Sequence, residues 1–168
     1  LINFVTGQGD YTNLKLLASE IAERFAPVVS ISQTINTAKA NMARGDEAIL
    51  LHGIDHIHEI LGERKYRISA SSFFQTNSFQ VQRLYDLAVE LAQPEKFDKM
   101  LDLYTGTGTI AIYFAGMVEK ITGVESVAAA IEDAKINAKL NSAANCDFVA
   151  ANVEDFLKDK ALSDQKYD

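Results

Sequence analysis

The spacing of apolar residues changes near residue 70. Before it, apolar runs are short and β-prone. Leu1 to Thr6 alternate as a strand, Gly7 to Tyr11 make a turn, and Thr12 to Ala26 carry Leu14, Leu17, Ile21 and Phe25 at helical spacing. Thr12 is placed to cap that helix and Pro27 to end it. VVSISQTI, AILLHG, HIHEIL and KYRIS follow, separated by polar or glycine-containing turns, and read as consecutive antiparallel strands. From residue 78 the pattern becomes an alternation. Val81, Leu84, Ala88 and Leu91 line one face of a helix that Pro94 follows. KMLDLY, KITGVE and CDFVAAN then read as short strands, each leading into a helix: TIAIYFAGM, VAAAIEDAKINAKLNS and VEDFLKDK. Strand–helix alternation with short links predicts βαβ units and a parallel sheet with right-handed crossovers. The expected fold is α/β, with a small α+β segment over residues 1–70 and a parallel sheet with helices on both faces over residues 71–168.

Composition narrows the class. At 168 residues and 48% hydrophobic, the chain is long enough to bury a core without disulfides or metals. Two prolines and nine glycines exclude collagen-like and low-complexity chains. A single cysteine, Cys146, excludes a disulfide scaffold, an internal iron–sulfur cluster and a Cys-rich zinc site. No apolar run approaches the roughly 18 residues of a membrane span, so a soluble, cytoplasmic protein with no membrane partner is expected. Sixteen basic residues against twenty-three acidic ones give a net charge of -7, a surface that repels phosphate backbones. DNA is not expected as a partner, and any RNA contact needs a local basic surface or a piece outside this chain. The chain begins with Leu1 inside a strand pattern and ends with Lys166, Tyr167 and Asp168 where another strand should begin, so the reading is a fragment of a longer protein.

The strongest chemical signal is Leu101-Asp102-Leu103-Tyr104-Thr105-Gly106-Thr107-Gly108-Thr109, an apolar strand ending in a glycine turn that opens a helix. Glycines there let backbone approach a bound nucleotide that a Cβ would block, and ligands of such sheets bind beyond the carboxyl ends of the strands. Glu125 ends the next strand, where a carboxylate can accept both ribose hydroxyls of an adenosine. Ala151-Asn152-Val153-Glu154-Asp155 ends the third, placed to flank the adenine. Gly106-x-Gly108-x-x-Ala111 also fits the dinucleotide fingerprint, so NAD or FAD and a plain structural turn stay open beside S-adenosylmethionine. Two features favour the methyl donor: the charge of Asp102 inside the first strand, and threonines where a pyrophosphate cradle would be. Ser71-Ser72-Phe73-Phe74-Gln75-Thr76-Asn77 is a second signal, which by itself reads as a hydrophobic plug and helix cap.

Together, Phe73-Phe74-Gln75-Thr76-Asn77 and Leu101-Asp102-Leu103-Tyr104-Thr105-Gly106-Thr107-Gly108 resemble the RNA uracil-5-methyltransferase family, from about Ser30 to the end of the chain. Members methylate carbon 5 of a uridine in ribosomal RNA or in the T-loop of tRNA. The resemblance implies a Rossmann-like methyltransferase half-domain, S-adenosyl-L-methionine as cofactor and RNA as partner, with 23S rRNA the expected substrate and tRNA the alternative. It implies that Gln75 holds the methionine end of the cofactor, that Tyr104, Gly106, Gly108 and Thr109 line its pocket, that Glu125 binds the ribose and that Asn152 sits by the adenine. Thr105 stands where the family usually has Cys, and Thr109 where related enzymes often have Asn. The family's attacking cysteine, its general base and its Asp-Pro-Pro motif have no counterpart here, nor do an amino-terminal β-barrel and iron–sulfur cysteines. The chain alone is therefore expected to be inactive.

Other features carry plainer readings. Cys146 precedes the third strand, a strand's length (roughly 17 Å) from the cofactor edge, and reads as a structural thiol. His52, His56 and His58, with Asp55 and Glu59, read as an ordinary surface strand rather than a metal site. Gly7-Gln8-Gly9-Asp10 reads as a turn. The helix from Val127 to Leu140, with Glu132, Asp133, Lys135 and Lys139, reads as a solvated face. A non-catalytic binding module on the same fold is the reading from another functional class.

Overall fold

The computed structural model describes residues 1–36, 48–70, 72–161 and 166–168; Ser71 of the second motif lies outside them. The chain divides into two units, Leu1–Ile57 with Ile68–Ser71, and His58–Arg67 with Ser72–Asp168.

In the first unit, β1 (Ile2–Thr6), α1 (Leu14–Arg24) and β2 (Ser30–Ile35) form a βαβ unit, because β1 and β2 pair in parallel from Ile2 with Ile31 to Thr6 with Ile35. β3 (Ala48–Gly53) joins β2 antiparallel. The strand expectation was thus right for β2 and β3 and incomplete for β1, which α1 carries over as a crossover. Thr12 does not cap α1: its backbone N–H and its hydroxyl both donate to Asp10 Oδ1, and Asn13 takes the cap position without a side-chain bond. The buried face of α1 centres on Ala18, while Leu17 and Phe25 are exposed. β2 is buried and polar: Ser32 and Thr34 donate to Asn3 Oδ1 at 3.3 and 3.1 Å, and Gln33 donates to Thr6 Oγ1 at 2.8 Å.

β4 (His56–Leu61) and β5 (Arg64–Ser69) pair across a two-residue turn at Gly62 and Glu63. The second unit continues with α2 (Ser78–Ala92), β6 (Lys99–Leu103), α3 (Thr109–Phe114), β7 (Lys120–Glu125), α4 (Ala128–Leu140), β8 (Cys146–Ala150) and α5 (Val153–Ala161). β6, β7 and β8 make a parallel sheet in that order. Asn77 caps α2 by accepting from Gln80 N–H at 3.2 Å. α2 buries Val81 and Tyr85; Leu84 and Leu91, assigned to its inner face by spacing, are exposed together with Phe79 and Leu87. The helix is apolar on two sides, and spacing alone could not choose between them. Leu61, Tyr66, Val81, Tyr85, Ile112, Phe114 and Ile121 belong to the main core, and Val124, Val153 and Phe156 to a second cluster under α5. Arg64 closes the end of α3, donating to the carbonyls of Ile112 and Tyr113 at 3.3 and 2.9 Å, with its guanidinium over the Tyr113 ring. Asp168 N–H donates to Lys99 C=O at 3.1 Å, placing residues 166–168 beside the start of β6. No described helix is long and apolar enough to cross a membrane.

Two interior details position the turn after β6. Gly123 of β7 lies between Asp102 on β6 and Phe148 on β8, and a Cβ there would stand 2.6 Å from Phe148 Cδ1 and 2.9 Å from Thr105 Oγ1. Asp102, buried in β6, accepts on Oδ2 from Thr105 Oγ1 at 2.6 Å and from Ala111 N–H at 3.2 Å, so one carboxylate ties both sides of the turn. Burial pushes the Asp102 carboxyl above its ordinary value of 3.8, and the two hydrogen bonds oppose that shift.

Gly123→Ala should cost about 1–3 kcal/mol by overpacking and lower the thermal midpoint by several degrees, checked by calorimetry. Because the Asp102 pKa is higher folded than unfolded, its contribution to stability is complete below the ordinary value and is lost as pH rises through the raised one. Asp102→Asn should therefore gain on the wild type in urea unfolding as pH rises from the ordinary value through the raised one. A gap between the two proteins that is flat or narrows over that range would contradict the assignment.

Candidate functional site

Three strand ends lie in register at the carboxyl edge of the parallel sheet. Leu103 pairs with Val124, and Glu125 with Ala150. Beyond them, Thr105 N–H donates to Val124 C=O at 3.0 Å, and Ala151 N–H to Glu125 C=O at 2.9 Å. This brings together the turn carrying Tyr104, Gly106 and Gly108, the Glu125 carboxylate and the Asn152 loop.

Tyr104 takes a left-handed backbone conformation (φ 59°), at a cost of about 1–2 kcal/mol for a residue with a Cβ, and leaves its ring 67% exposed. A large aromatic held out of the core in a strained conformation marks a place built for something other than packing. The two glycines differ in their reasons. Gly106 (φ 55°) has only the Phe73 carbonyl, at 4.0 Å, near the position of an added Cβ. Gly108 (φ 78°) would drive a Cβ to 2.8 Å from the Phe148 ring and 3.1 Å from Ala134, so the protein's own packing requires it. Open space for a ligand to approach lies at Gly106.

Glu125 is 7% exposed, and its Oε1 accepts from Ser126 Oγ and Val127 N–H, both at 3.0 Å. Its Oε2 takes no hydrogen bond among the described residues. Those two bonds fix the carboxylate and leave one oxygen for hydroxyl donors. Asn152 caps α5: its Oδ1 accepts from Glu154 N–H at 2.9 Å and Asp155 N–H at 3.3 Å, and the exposed side chain keeps its amide hydrogens for a neighbour.

Thr109 and Gln75 are placed differently. Thr109 opens α3 with its hydroxyl 3.1 Å from Tyr85 Oη, while its carbonyl accepts from Tyr66 Oη at 3.3 Å. Its side chain is engaged with α2. Gln75 is exposed and borders a groove of about 450 Å³ along α2, with Thr76, Asn77, Gln80 and Arg83. Tyr104, Glu125 and Asn152 do not line that groove. The link between the Gln75 segment and the turn is the backbone approach of Phe73 to Gly106.

Spacing missed the polar cluster beneath the turn. Asp133 is 2% exposed, pairs with Arg67 Nη1 through Oδ1 and accepts from Ser72 Oγ through Oδ2 at 2.5 Å. Its assignment to a solvated face is corrected here: α4 turns Asp133 inward beside Ala130 and Ala134, and the Arg67 guanidinium supplies the charge that makes burial tolerable. Asn137, fully buried, accepts from Arg67 N–H at 2.6 Å and donates to the carbonyls of Arg67 and Thr107, both at 3.1 Å. Asn141 accepts from Lys65 N–H at 3.0 Å and donates to Lys65 C=O at 2.8 Å. The available signal was a stripe of polar residues at positions 133, 137 and 141 on the alanine-lined face of the helix.

Cys146 begins β8, paired with Ile121, at the end of the strand away from Asn152. Its Sγ lies 3.7 Å from Ala111 C=O, and burial pushes its thiol up to about 12. A thiol so hard to ionise is a poor nucleophile. Among the described residues no cluster of three or more His, Cys, Asp or Glu side chains could hold a metal ion, and His56 Nδ1 lies 2.6 Å from Asp55 Oδ1.

Residues 94–168 match a family model described as a methyltransferase domain. The chain is 38% identical over 154 residues to an uncharacterized RNA methyltransferase of Bacillus cereus, covering 92% of this chain and 34% of that protein. It is 42% identical over 149 residues to another from Porphyromonas gingivalis, covering 88% of this chain and 32% of the relative. Among solved structures it is similar to the Pyrococcus abyssi tRNA (uracil-54, C5)-methyltransferase in complex with S-adenosyl-L-homocysteine, at 30% identity and a TM-score of 0.63, over 89% of this chain and 35% of that one. The chain thus spans about a third of the length of the curated relatives it matches. Its α/β architecture, a parallel sheet with helices between successive strands, is the Rossmann-like fold of these methyltransferases.

Proposed function

We propose that this chain forms the S-adenosyl-L-methionine site of a cytoplasmic RNA methyltransferase that methylates carbon 5 of a uridine. The observation that carries the reading is Glu125: a buried carboxylate at a strand end, fixed through one oxygen and leaving the other for a ribose, beside an open Gly106 and an exposed Tyr104. These residues fit an adenosyl ligand. Glu125 Oε2 accepts its ribose hydroxyls, the Asn152 amide meets the adenine, and the Tyr104 ring covers one face of the ligand. Gly108 and Thr109 support the pocket from behind, one by close packing and the other through Tyr85. Gln75 joins the methionine end once its side chain turns from the α2 groove toward Gly106. The bound cofactor supplies an electrophilic methyl group; the chain's own residues orient it and exclude water.

Support for an RNA substrate comes from the relatives named above, and support for uridine carbon 5 from the Phe73–Asn77 and Leu101–Gly108 motifs. 23S rRNA is the substrate proposed. The tRNA reading has the Pyrococcus abyssi structure on its side. In either case Cys146 is not the attacking thiol, so a covalent mechanism draws its nucleophile from elsewhere in the protein, and these 168 residues alone are inactive.

Calorimetric titration should show S-adenosyl-L-homocysteine binding and no heat with NADH; the reverse result would put the chain among the dinucleotide enzymes. Glu125→Gln should weaken S-adenosyl-L-homocysteine by tenfold or more, and Tyr104→Ala by several-fold with little change in thermal midpoint, since the ring is exposed. Methyl transfer by the intact protein to 23S rRNA but not tRNA transcripts would decide the substrate, and the opposite preference would replace rRNA with tRNA.

A further inference from the structure

The segment that carries Gln75 is largely exposed. Gln75, Thr76 and Asn77 are exposed, and Phe73 is 57% exposed. Phe74 anchors it to the core, its ring 5.9 Å from that of Tyr66. At its start stands Ser72, whose hydroxyl donates to Asp133 Oδ2, while Asp133 Oδ1 meets the guanidinium of Arg67 within the preceding strand, β5. One turn further along α4, Asn137 donates to the carbonyl of Thr107 inside the glycine turn. A single helix face therefore holds the start of the Gln75 segment and the glycine turn at fixed positions relative to each other, four residues apart on a rigid element. The result is visible where the two meet, at the Phe73 carbonyl beside Gly106.

We propose that Asp133, acting through Ser72 and Arg67, is a positioning residue of the cofactor site: it fixes the Phe73–Gln75 backbone against the glycine turn and thereby sets affinity for the adenosyl ligand. The affinity half rests on the proposed function; the holding of the segment does not. A buried carboxylate that bonds a guanidinium of β5 through one oxygen and a loop hydroxyl through the other sets the position of the loop as well as its attachment. A merely structural ion pair would stabilise α4 against β5 and leave residues 73–77 indifferent to its loss.

The test uses the intact protein with Ser72→Ala, Ser72→Thr and Asp133→Asn, since Asp133→Asn takes the carboxylate from the Arg67 guanidinium and can fail to fold, whereas Ser72→Ala removes the hydroxyl that meets Asp133 and leaves the ion pair in place. Amide hydrogen exchange is read on the unliganded protein, and S-adenosyl-L-homocysteine affinity by calorimetry. Ser72→Ala should accelerate exchange at residues 73–77 by about tenfold with β5 and α4 unchanged, and should raise the dissociation constant several-fold. Ser72→Thr, which keeps the hydroxyl, should restore both. Exchange that is unchanged at 73–77, or that rises equally along β5 and α4, overturns the positioning role. A wild-type protein that binds no S-adenosyl-L-homocysteine overturns the affinity half together with the proposed function, and the exchange result still decides whether Asp133 holds the segment.

Discussion

The carboxyl end of the parallel sheet depends on a side-chain amide with no exposed surface. Asn137 satisfies the N–H and C=O of Arg67 and the C=O of Thr107 at once, and Asn141 repeats the pattern at Lys65. Four residues along a helix advance about 6 Å, and two residues along a strand about 6.6 Å. Two asparagines one turn apart therefore present their amides at nearly the step of a β-strand, and α4 serves β5 in place of a neighbouring strand. The backbone groups that Asn137 satisfies lie in or near the interior, and each left unpaired there would cost about 1–3 kcal/mol, so the pairing of β5 with α4 is directional as well as apolar. Part of the site is held by the same face of α4: the start of the Gln75 segment through Asp133 and Ser72, and the glycine turn through Thr107.

The alternating half of the chain was legible because its apolar residues keep one period at a time. KMLDLY, KITGVE and CDFVAAN fold as β6, β7 and β8 in the parallel order that short strand–helix links require. The faces of α1 and α2 were not legible. In α1, Ala18 packs inward where Leu17 was expected, since close approach to a sheet favours a small residue that hydropathy ranks low. In α2, Leu84 and Leu91 lose to Tyr85, which buries a larger ring and places its hydroxyl against Thr109. Asp133 escaped for the complementary reason. A carboxylate on an alanine-rich helix looks solvated until the strand carrying Arg67 is seen to lie across it, and that partner is sixty-six residues away. Sequence spacing reports local periodicity, and the site is assembled from contacts between distant segments.

The glycine turn shows how one motif combines two constraints. Read from sequence, both glycines serve a ligand. In the folded chain Gly108 is filled in by Phe148 and Ala134, while Gly106 faces open space. Asp102 works from below, bonding Thr105 and the first turn of α3, so the charge that separated this strand from a dinucleotide pattern is spent inside the protein. A hydroxyl at position 105 is a stronger donor to that carboxylate than a thiol would be, and the departure from Cys there keeps the turn's shape. The turn is thus rigid on its inner side and open on its outer one, the division a preorganised ligand site needs.

The net charge of -7 bears on the proposed RNA substrate. Three lysines of the second unit are paired with carboxylates: Lys120 with Asp147, Lys135 with Glu132, and Lys158 with Asp155. Exposed pairs of this kind contribute little stability, yet they cancel local positive potential and with it the counterion-release term that dominates non-specific nucleic-acid binding. Near the turn two aromatic residues, Tyr104 and Phe73, are more than half exposed. A splayed-out base stacks on such rings without help from phosphate contacts. Under the proposed function, an exposed ring of this kind is what the chain would offer a target base.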